Sequence, residues 1–121
     1  MNSLLLMIAL MMTSQSIPNH NFNVESVVLS CSPMECEKYW SRAVFYISQN
    51  SNFSFKNVNK VLIETEKKPT GSSSVSYLIE RGGGELKITL SCSNAIECQP
   101  RLSSEINNIK NAILLNDKSC F

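Results

Sequence analysis

The sequence predicts an α+β fold in which an antiparallel β-sheet of four or five strands packs on one long N-terminal helix. Three observations lead to this class. The chain has one well-marked amphipathic helix, several runs in which apolar and polar residues alternate, and turn signals between those runs. Its length of 121 residues is that of a single domain.

A strand followed by the long helix is predicted at the start of the folded part. Residues 24–30 are rich in β-branched side chains, as strands are. The start of the helix is predicted from Ser32 as N-cap, Pro33 at the first helical position and Glu35 as the acid of a capping box. The helix is therefore predicted over 33–49. Its apolar residues recur at helical spacing on one stripe: Cys36, Trp40, Ala43, Val44 and Ile47.

The middle of the chain predicts three further strands. Residues 58–67, 73–80 and 85–91 alternate with a period of two, which indicates half-buried strands. Pro69 and Gly71 predict a turn between the first two runs, and the glycines at 82–84 predict a hairpin between the last two.

The last part of the chain favours a second, short helix. Leu102, Ile106, Ile109 and Ile113 recur at intervals of four, three and four, with Ser103 or Ser104 as the cap. A last strand within 107–115 is the alternative.

Export is predicted from the first residues. Residues 1–16 resemble a signal peptide, because the apolar run 4–12 is followed by small residues, and cleavage is expected after Ser16. That run is far shorter than the roughly 20 residues of a membrane-spanning helix, so no membrane span is predicted. Residues 17–23 are expected to be a flexible N-terminus, and 24–121 a single secreted domain. Asn52 begins a glycosylation sequon in an exposed loop.

All the cysteines follow the predicted signal peptide: Cys31, Cys36, Cys92, Cys98 and Cys120. This density is typical of oxidised extracellular domains. Five cysteines form at most two bridges, and we expect Cys92 to pair with Cys98, and Cys120 with Cys31 or Cys36. The odd cysteine suggests a disulfide-linked homodimer. The cysteine spacings are too loose for a zinc site, so no metal is predicted.

Charge and composition argue against nucleic acid and against catalysis. The net charge of +1 gives no basic surface for nucleic acid. The only histidine, His20, precedes the first predicted strand, where it cannot serve as the base for a nucleophile. The glycines at 82–84 lead into a strand, whereas a phosphate loop leads into a helix. We therefore predict no enzyme and no cofactor.

The order of a strand, a long helix and antiparallel strands with tight turns resembles the cystatin family, in which a sheet wraps around one helix. The polar stretch 49–52 after the helix is similar to that of the family, and Cys98 with Cys120 resembles its last disulfide. The resemblance covers about 24–121 and implies inhibition of cysteine proteases through hairpin loops. Where the family has Gln-x-Val-x-Gly, this chain reads Lys67, Lys68, Pro69, Thr70 and Gly71, so only Gly71 matches.

We therefore predict a secreted, non-catalytic binding protein of cystatin-like build. Its loops at 67–71 and 92–99 are expected to contact a protein partner, for which the resemblance implies a cysteine protease. The alternative is an extracellular protein-interaction factor without protease inhibition, dimerised through the odd cysteine. A carrier that holds an apolar molecule between helix and sheet is a third hypothesis.

Overall fold

Five strands and two helices make up the domain. They follow the order β1 (Asn23–Ser30), α1 (Pro33–Asn50), β2 (Phe55–Val58), β3 (Leu62–Thr65), β4 (Ser76–Gly82), β5 (Glu85–Cys92) and α2 (Leu102–Leu114). The computed structural model describes residues 23–68, 71–94 and 96–115. The predicted signal peptide, Pro69, Thr70 and Cys120 lie outside the described residues, as does the predicted flexible N-terminus except for Asn23.

The strands form one antiparallel sheet in the order β1-β5-β4-β3-β2. The predicted α+β class and the antiparallel sheet are confirmed, and the sheet has five strands. The long helix is the first helix of the chain, but it follows a strand and is not N-terminal to the sheet.

Both helices cover the same face of the sheet. On β5 the side chains of Leu86, Ile88 and Leu90 are completely buried, and they share the core with Ile47 of α1 and Ile109 of α2. Each such aliphatic side chain contributes about 1.5–3 kcal/mol when it is removed from water. α2 lies against β1 and β5, and α1 packs on α2. The space between helices and sheet is therefore filled by core side chains.

The first helix begins as the sequence predicts. The Ser32 hydroxyl accepts a hydrogen bond from the Glu35 N–H at 3.3 Å, and Glu35 Oε1 accepts one from the Ser32 N–H at 2.9 Å. The hydrogen bond from the Ser32 backbone is the main cause that lowers the pKa of Glu35. Four stripe residues are buried and Val44 is partly buried, so the predicted apolar face is confirmed.

The predicted single strand over 58–67 is wrong, because this stretch contains the end of β2, a turn and β3. The Asn59 side-chain oxygen accepts hydrogen bonds from the N–H groups of Val61 and Leu62, at 2.9 and 3.0 Å, and so reverses the chain. Val61 is consequently 59% exposed and does not share the inner face with Ile63.

The second helix is confirmed over the last-strand alternative, but its predicted serine cap is wrong. α2 begins at Leu102 with Arg101 as N-cap, and no side chain caps it. Leu102 is buried, so the helix extends back beyond the serines, which lie on its exposed side.

The Trp40 Nε1–H of α1 donates to the Asn59 carbonyl at 2.8 Å and ties α1 to the turn between β2 and β3.

Two disulfides are present among the described residues, Cys31–Cys36 and Cys92–Cys98. The predicted Cys92–Cys98 pair is confirmed. The expectation that Cys120 pairs with Cys31 or Cys36 is wrong, and so is the Cys98–Cys120 pair that the resemblance implied. Cys31 directly follows β1 and Cys36 lies in the first turn of α1, so the reversal at the helix cap brings their Cα atoms to 5.2 Å, within disulfide range.

Candidate functional site

The two loops predicted to bind a partner leave the sheet at the same end. Ser76, the first residue of β4, pairs with Ser91 near the end of β5. The connection from β3 to β4 therefore ends beside the start of the connection from β5 to α2. At the opposite end, β4 and β5 are joined by the tight hairpin at 82–84. Binding sites are commonly built from such longer loops on a rigid scaffold.

Four hydrogen bonds join the described residues of these loops, and in the longest the Ser93 hydroxyl donates to the Ser72 carbonyl at 3.5 Å. The N–H groups of Gly71 and Ser72 donate to the Ser93 carbonyl and hydroxyl, at 2.9 and 3.1 Å, and the Gln99 N–H donates to the Ser73 carbonyl at 2.7 Å. Gly71 has a φ of +76°, a conformation that glycine adopts without strain and that the sequence allowed for. The Cys92–Cys98 disulfide closes the second loop. The described residues of the two loops thus hold one another in place.

A groove of about 390 Å³ opens beside the loops on the sheet face that points away from the helices. We call it the loop-end groove. Thr89 and Ser91 contribute to its floor and alternate along β5 with Ile88 and Leu90, which face the core. The lining consists of Val24, Lys67, Lys68, Ser74, Ser76, Thr89, Ser91, Cys92 and Ser93.

Hydroxyl and ammonium groups dominate the polar lining of this groove. The Ser76 hydroxyl donates to the Glu66 carbonyl at 3.2 Å, and the Ser74 hydroxyl accepts from another loop. Within the described part of the chain, the hydroxyls of Thr89 and Ser91 have no hydrogen-bond partner, so both remain available to a ligand. None of the described lining residues is acidic.

The structure brings together part of the predicted binding segment. Lys67 and Lys68 line the groove, and Gly71 connects the loops. The exposed Asn52 also lies at this end, because its amide donates to the Ser74 hydroxyl at 3.1 Å. Glycosylation at Asn52 stays a prediction. The sequence had marked the hydroxyl residues only as the polar side of two strands.

A second polar cluster lies in the core. Glu105 of α2 is only 3% exposed, and its Oε2 atom accepts hydrogen bonds from the hydroxyls of Tyr46 at 2.8 Å and Tyr77 at 2.5 Å. Asn108 donates to the other carboxyl oxygen at 3.3 Å. Burial, followed by the bond to Glu105, raises the pKa of both tyrosines. The cluster links α1, β4 and α2 and is fully hydrogen-bonded, as a structural polar contact in a core should be.

Glu105 was missed in the sequence, although a signal for it exists. It lies three residues after Leu102 and four before Ile109, which is a position on the apolar stripe of α2. A charged residue at such a position predicts a buried polar partner. The tyrosines that supply it come from distant parts of the chain.

A third feature is an apolar groove of about 420 Å³ between α1 and α2. Phe45 is 67% exposed and Leu115 50% exposed on its walls.

Among the described residues, no group of three or more histidine, cysteine or acidic side chains is placed to hold a metal ion. No helix in the described ranges is both long and apolar enough to cross a membrane.

Comparison of the chain with protein-family models, with curated proteins and with solved structures found no match. The cystatin resemblance therefore stays a prediction, and the function is argued from the geometry of the loop-end groove.

Proposed function

We propose that this protein is a secreted, non-catalytic binding protein that holds its ligand in the loop-end groove. The observation that carries the proposal is that the β3–β4 connection and the β5–α2 connection are bonded to each other. Four hydrogen bonds and the Cys92–Cys98 disulfide fix the groove walls before any ligand arrives. A preformed site of this kind binds more tightly because little ordering entropy is lost on binding.

The size and position of the groove support the proposal. Ligand pockets of proteins span about 300–1,000 Å³, and the loop-end groove falls inside this range. It lies on the sheet face opposite the helices, so a ligand there does not disturb the core. Secretion is supported by the two intramolecular disulfides, which are typical of proteins in oxidising compartments.

The chemistry of the lining supports binding over turnover. A hydroxyl nucleophile needs a neighbouring base, which in most enzymes is a histidine or a carboxyl group. The described lining residues supply neither, and Cys92 is bonded in a disulfide. Hydroxyls and ammonium groups without such a base are suited to holding a ligand.

The proposal is tested by screening the isotope-labelled, oxidised protein by NMR against a library of neutral, cationic and anionic fragments. We expect the fragments that bind to shift the amide signals of Ser76, Thr89 and Ser91. The Ser91→Ala variant should weaken these hits. The Ser26→Ala variant is the matched control, because Ser26 lies on the same sheet face, pairs with Thr89 and does not line the groove. Hits that cluster in the helix groove and spare the loop end would refute the proposal.

Two finer predictions from the sequence stay open to direct tests. Inhibition of a cysteine protease through 67–71 predicts that papain loses activity when titrated with the refolded protein, and unchanged activity at a large molar excess contradicts it. A disulfide-linked homodimer predicts a band of doubled mass on a non-reducing gel that disappears on reduction. A purely monomeric band contradicts that alternative.

A further inference from the structure

We infer that the ligand of the loop-end groove carries a single oxyanion, a carboxylate, sulfate or phosphate group, on a small body with an apolar part. This inference rests on the proposed function and adds the chemical class of the ligand.

The first support is the set of polar groups that the groove presents. Lys67 and Lys68 line it, and a lysine ammonium donates three hydrogen bonds and accepts none. The hydroxyls of Thr89 and Ser91 supply two more donors. An oxyanion accepts from all of these groups and also offsets the lysine charge. A cationic ligand would be repelled, and a neutral ligand would leave the lysine charges without a counter-charge.

The second support limits the charge of the ligand. A smaller cavity adjoins the groove, shares Lys67, Ser76, Thr89 and Ser91 with it, and is also lined by Glu64. The Glu64 carboxyl already accepts a hydrogen bond from Asn57 at 2.9 Å. A long polyanion would meet this carboxyl group, and the net charge of +1 provides no basic surface to offset the repulsion. A single oxyanion satisfies the two lysines without reaching the acidic side.

The third support concerns the body of the ligand. Val24 of β1 is 50% exposed and lines the groove. Val24 pairs in register with Ser91, so an apolar surface lies next to the hydroxyl donors. A ligand with an oxyanion at one end and an apolar group at the other would contact both.

The test compares an acid with its uncharged isostere. Phenylacetate and phenylacetamide are titrated into the labelled protein up to about 10 mM, where a dissociation constant of millimolar order is measurable. We expect phenylacetate to shift the signals of Thr89 and Ser91 and phenylacetamide to bind several-fold more weakly. Phenyl phosphate and phenyl sulfate, run in parallel, show which oxyanion the groove prefers.

Variants assign the effect to the lysines. Because exposed ion pairs contribute little each, Lys67→Gln and Lys68→Gln should each weaken phenylacetate binding about threefold, and together about ninefold. Phenylacetamide binding should not change. Lys60→Gln is the matched control, since it removes the same charge from an exposed turn outside the groove. Raising the ionic strength from about 0.01 M to about 1 M should abolish most of the preference for the acid.

The outcomes separate this inference from the proposed function. If the amide binds as well as the acid, or if the double lysine variant binds phenylacetate unchanged, the oxyanion inference is overturned while the groove remains a binding site. If no oxyanion probe shifts the groove signals but neutral fragments do, the oxyanion inference is likewise overturned and the groove remains a binding site. If no fragment of any charge binds there, both the inference and the proposed function fail.

Discussion

The most informative test of the fold is to remove one hydroxyl from the buried cluster around Glu105. Tyr77→Phe deletes the donor that lies deepest in the core, since Tyr77 is only 2% exposed. The ring remains in place, so the packing of β4 against α2 is unchanged. The Glu105 carboxyl then keeps only Tyr46 and Asn108 as partners.

The expected cost follows from the burial of the groups left behind. A buried polar group that loses its partner costs about 1–3 kcal/mol. Glu105 is 3% exposed and water has little access to it, so we expect Tyr77→Phe to lower the free energy of unfolding by about 2 kcal/mol. Tyr46 is only partly buried, and water can replace its hydroxyl, so Tyr46→Phe should cost about 1 kcal/mol.

Urea unfolding followed by tryptophan fluorescence measures these costs. Trp40 is the single tryptophan and is 9% exposed, so its emission changes when the core opens. With a urea dependence of about 1.5 kcal/mol per molar, typical of small domains, Tyr77→Phe should lower the midpoint by about 1.3 M.

Tyr39→Phe is the control, because Tyr39 packs against the same core and its hydroxyl has no partner within the described residues. It should change the free energy of unfolding by less than about 0.5 kcal/mol. The reasoning is refuted if Tyr77→Phe is as mild as this control, or if Tyr46→Phe costs more than Tyr77→Phe.

Three further predictions concern the same domain. Replacing Cys92 and Cys98 together by serine should lower the free energy of unfolding by about 2 kcal/mol, the loop entropy of so short a bridge, as read from the urea midpoint. The contribution of Tyr77 to the free energy of unfolding should be constant below pH 10, where unfolded tyrosine is still protonated. Above pH 10 this contribution should fall by about 1.4 kcal/mol per pH unit, since the pKa of Tyr77 is raised only in the folded state. In Tyr77→Phe, urea midpoints measured at rising pH should lose this part of the slope. Secretion from glycosylating cells should give a product whose excess mass disappears in Asn52→Gln; equal masses after allowance for the substitution would contradict the sequon prediction.

Features encoded within a few neighbouring residues were predictable from the sequence. The capping box needs only residues 32–35, and both of its hydrogen bonds are present. The hairpin at 82–84 needs glycines with positive φ, and Gly83 and Gly84 have φ values of +60° and +77°. Cys92 and Cys98 lie at the two ends of one short predicted loop, so the sequence places them close together.

Features that depend on the rest of the molecule were not predictable. β2 is a short edge strand with mostly exposed side chains, so it carries no alternating pattern. The turn at Asn59 was not predictable because apolar and polar residues continue to alternate through it, as in a single strand. Cys31 and Cys36 pair with each other because the chain reverses at the helix cap, and their spacing alone favours no pairing.

The sequence predicted the loops of the candidate site but not the strand residues that form the floor of the groove. The exposed lysines at 67–68 follow a strand, which indicates a loop. Thr89 and Ser91 lie on β5, and β5 lies between β1 and β4 in the sheet. This position is known only from the order of the strands in the structure. This order places Val24 beside Ser91, although the two are far apart in the chain.

Strand β5 divides stability and binding between its two faces. Ile88 and Leu90 are completely buried under the helices, and such side chains contribute most of the free energy of folding. Thr89 and Ser91, which alternate with them, lie on the opposite face and form part of the groove floor. Because the two sets do not share partners, changes at the groove should alter ligand affinity with little effect on stability. This separation allows the groove variants to report on binding alone.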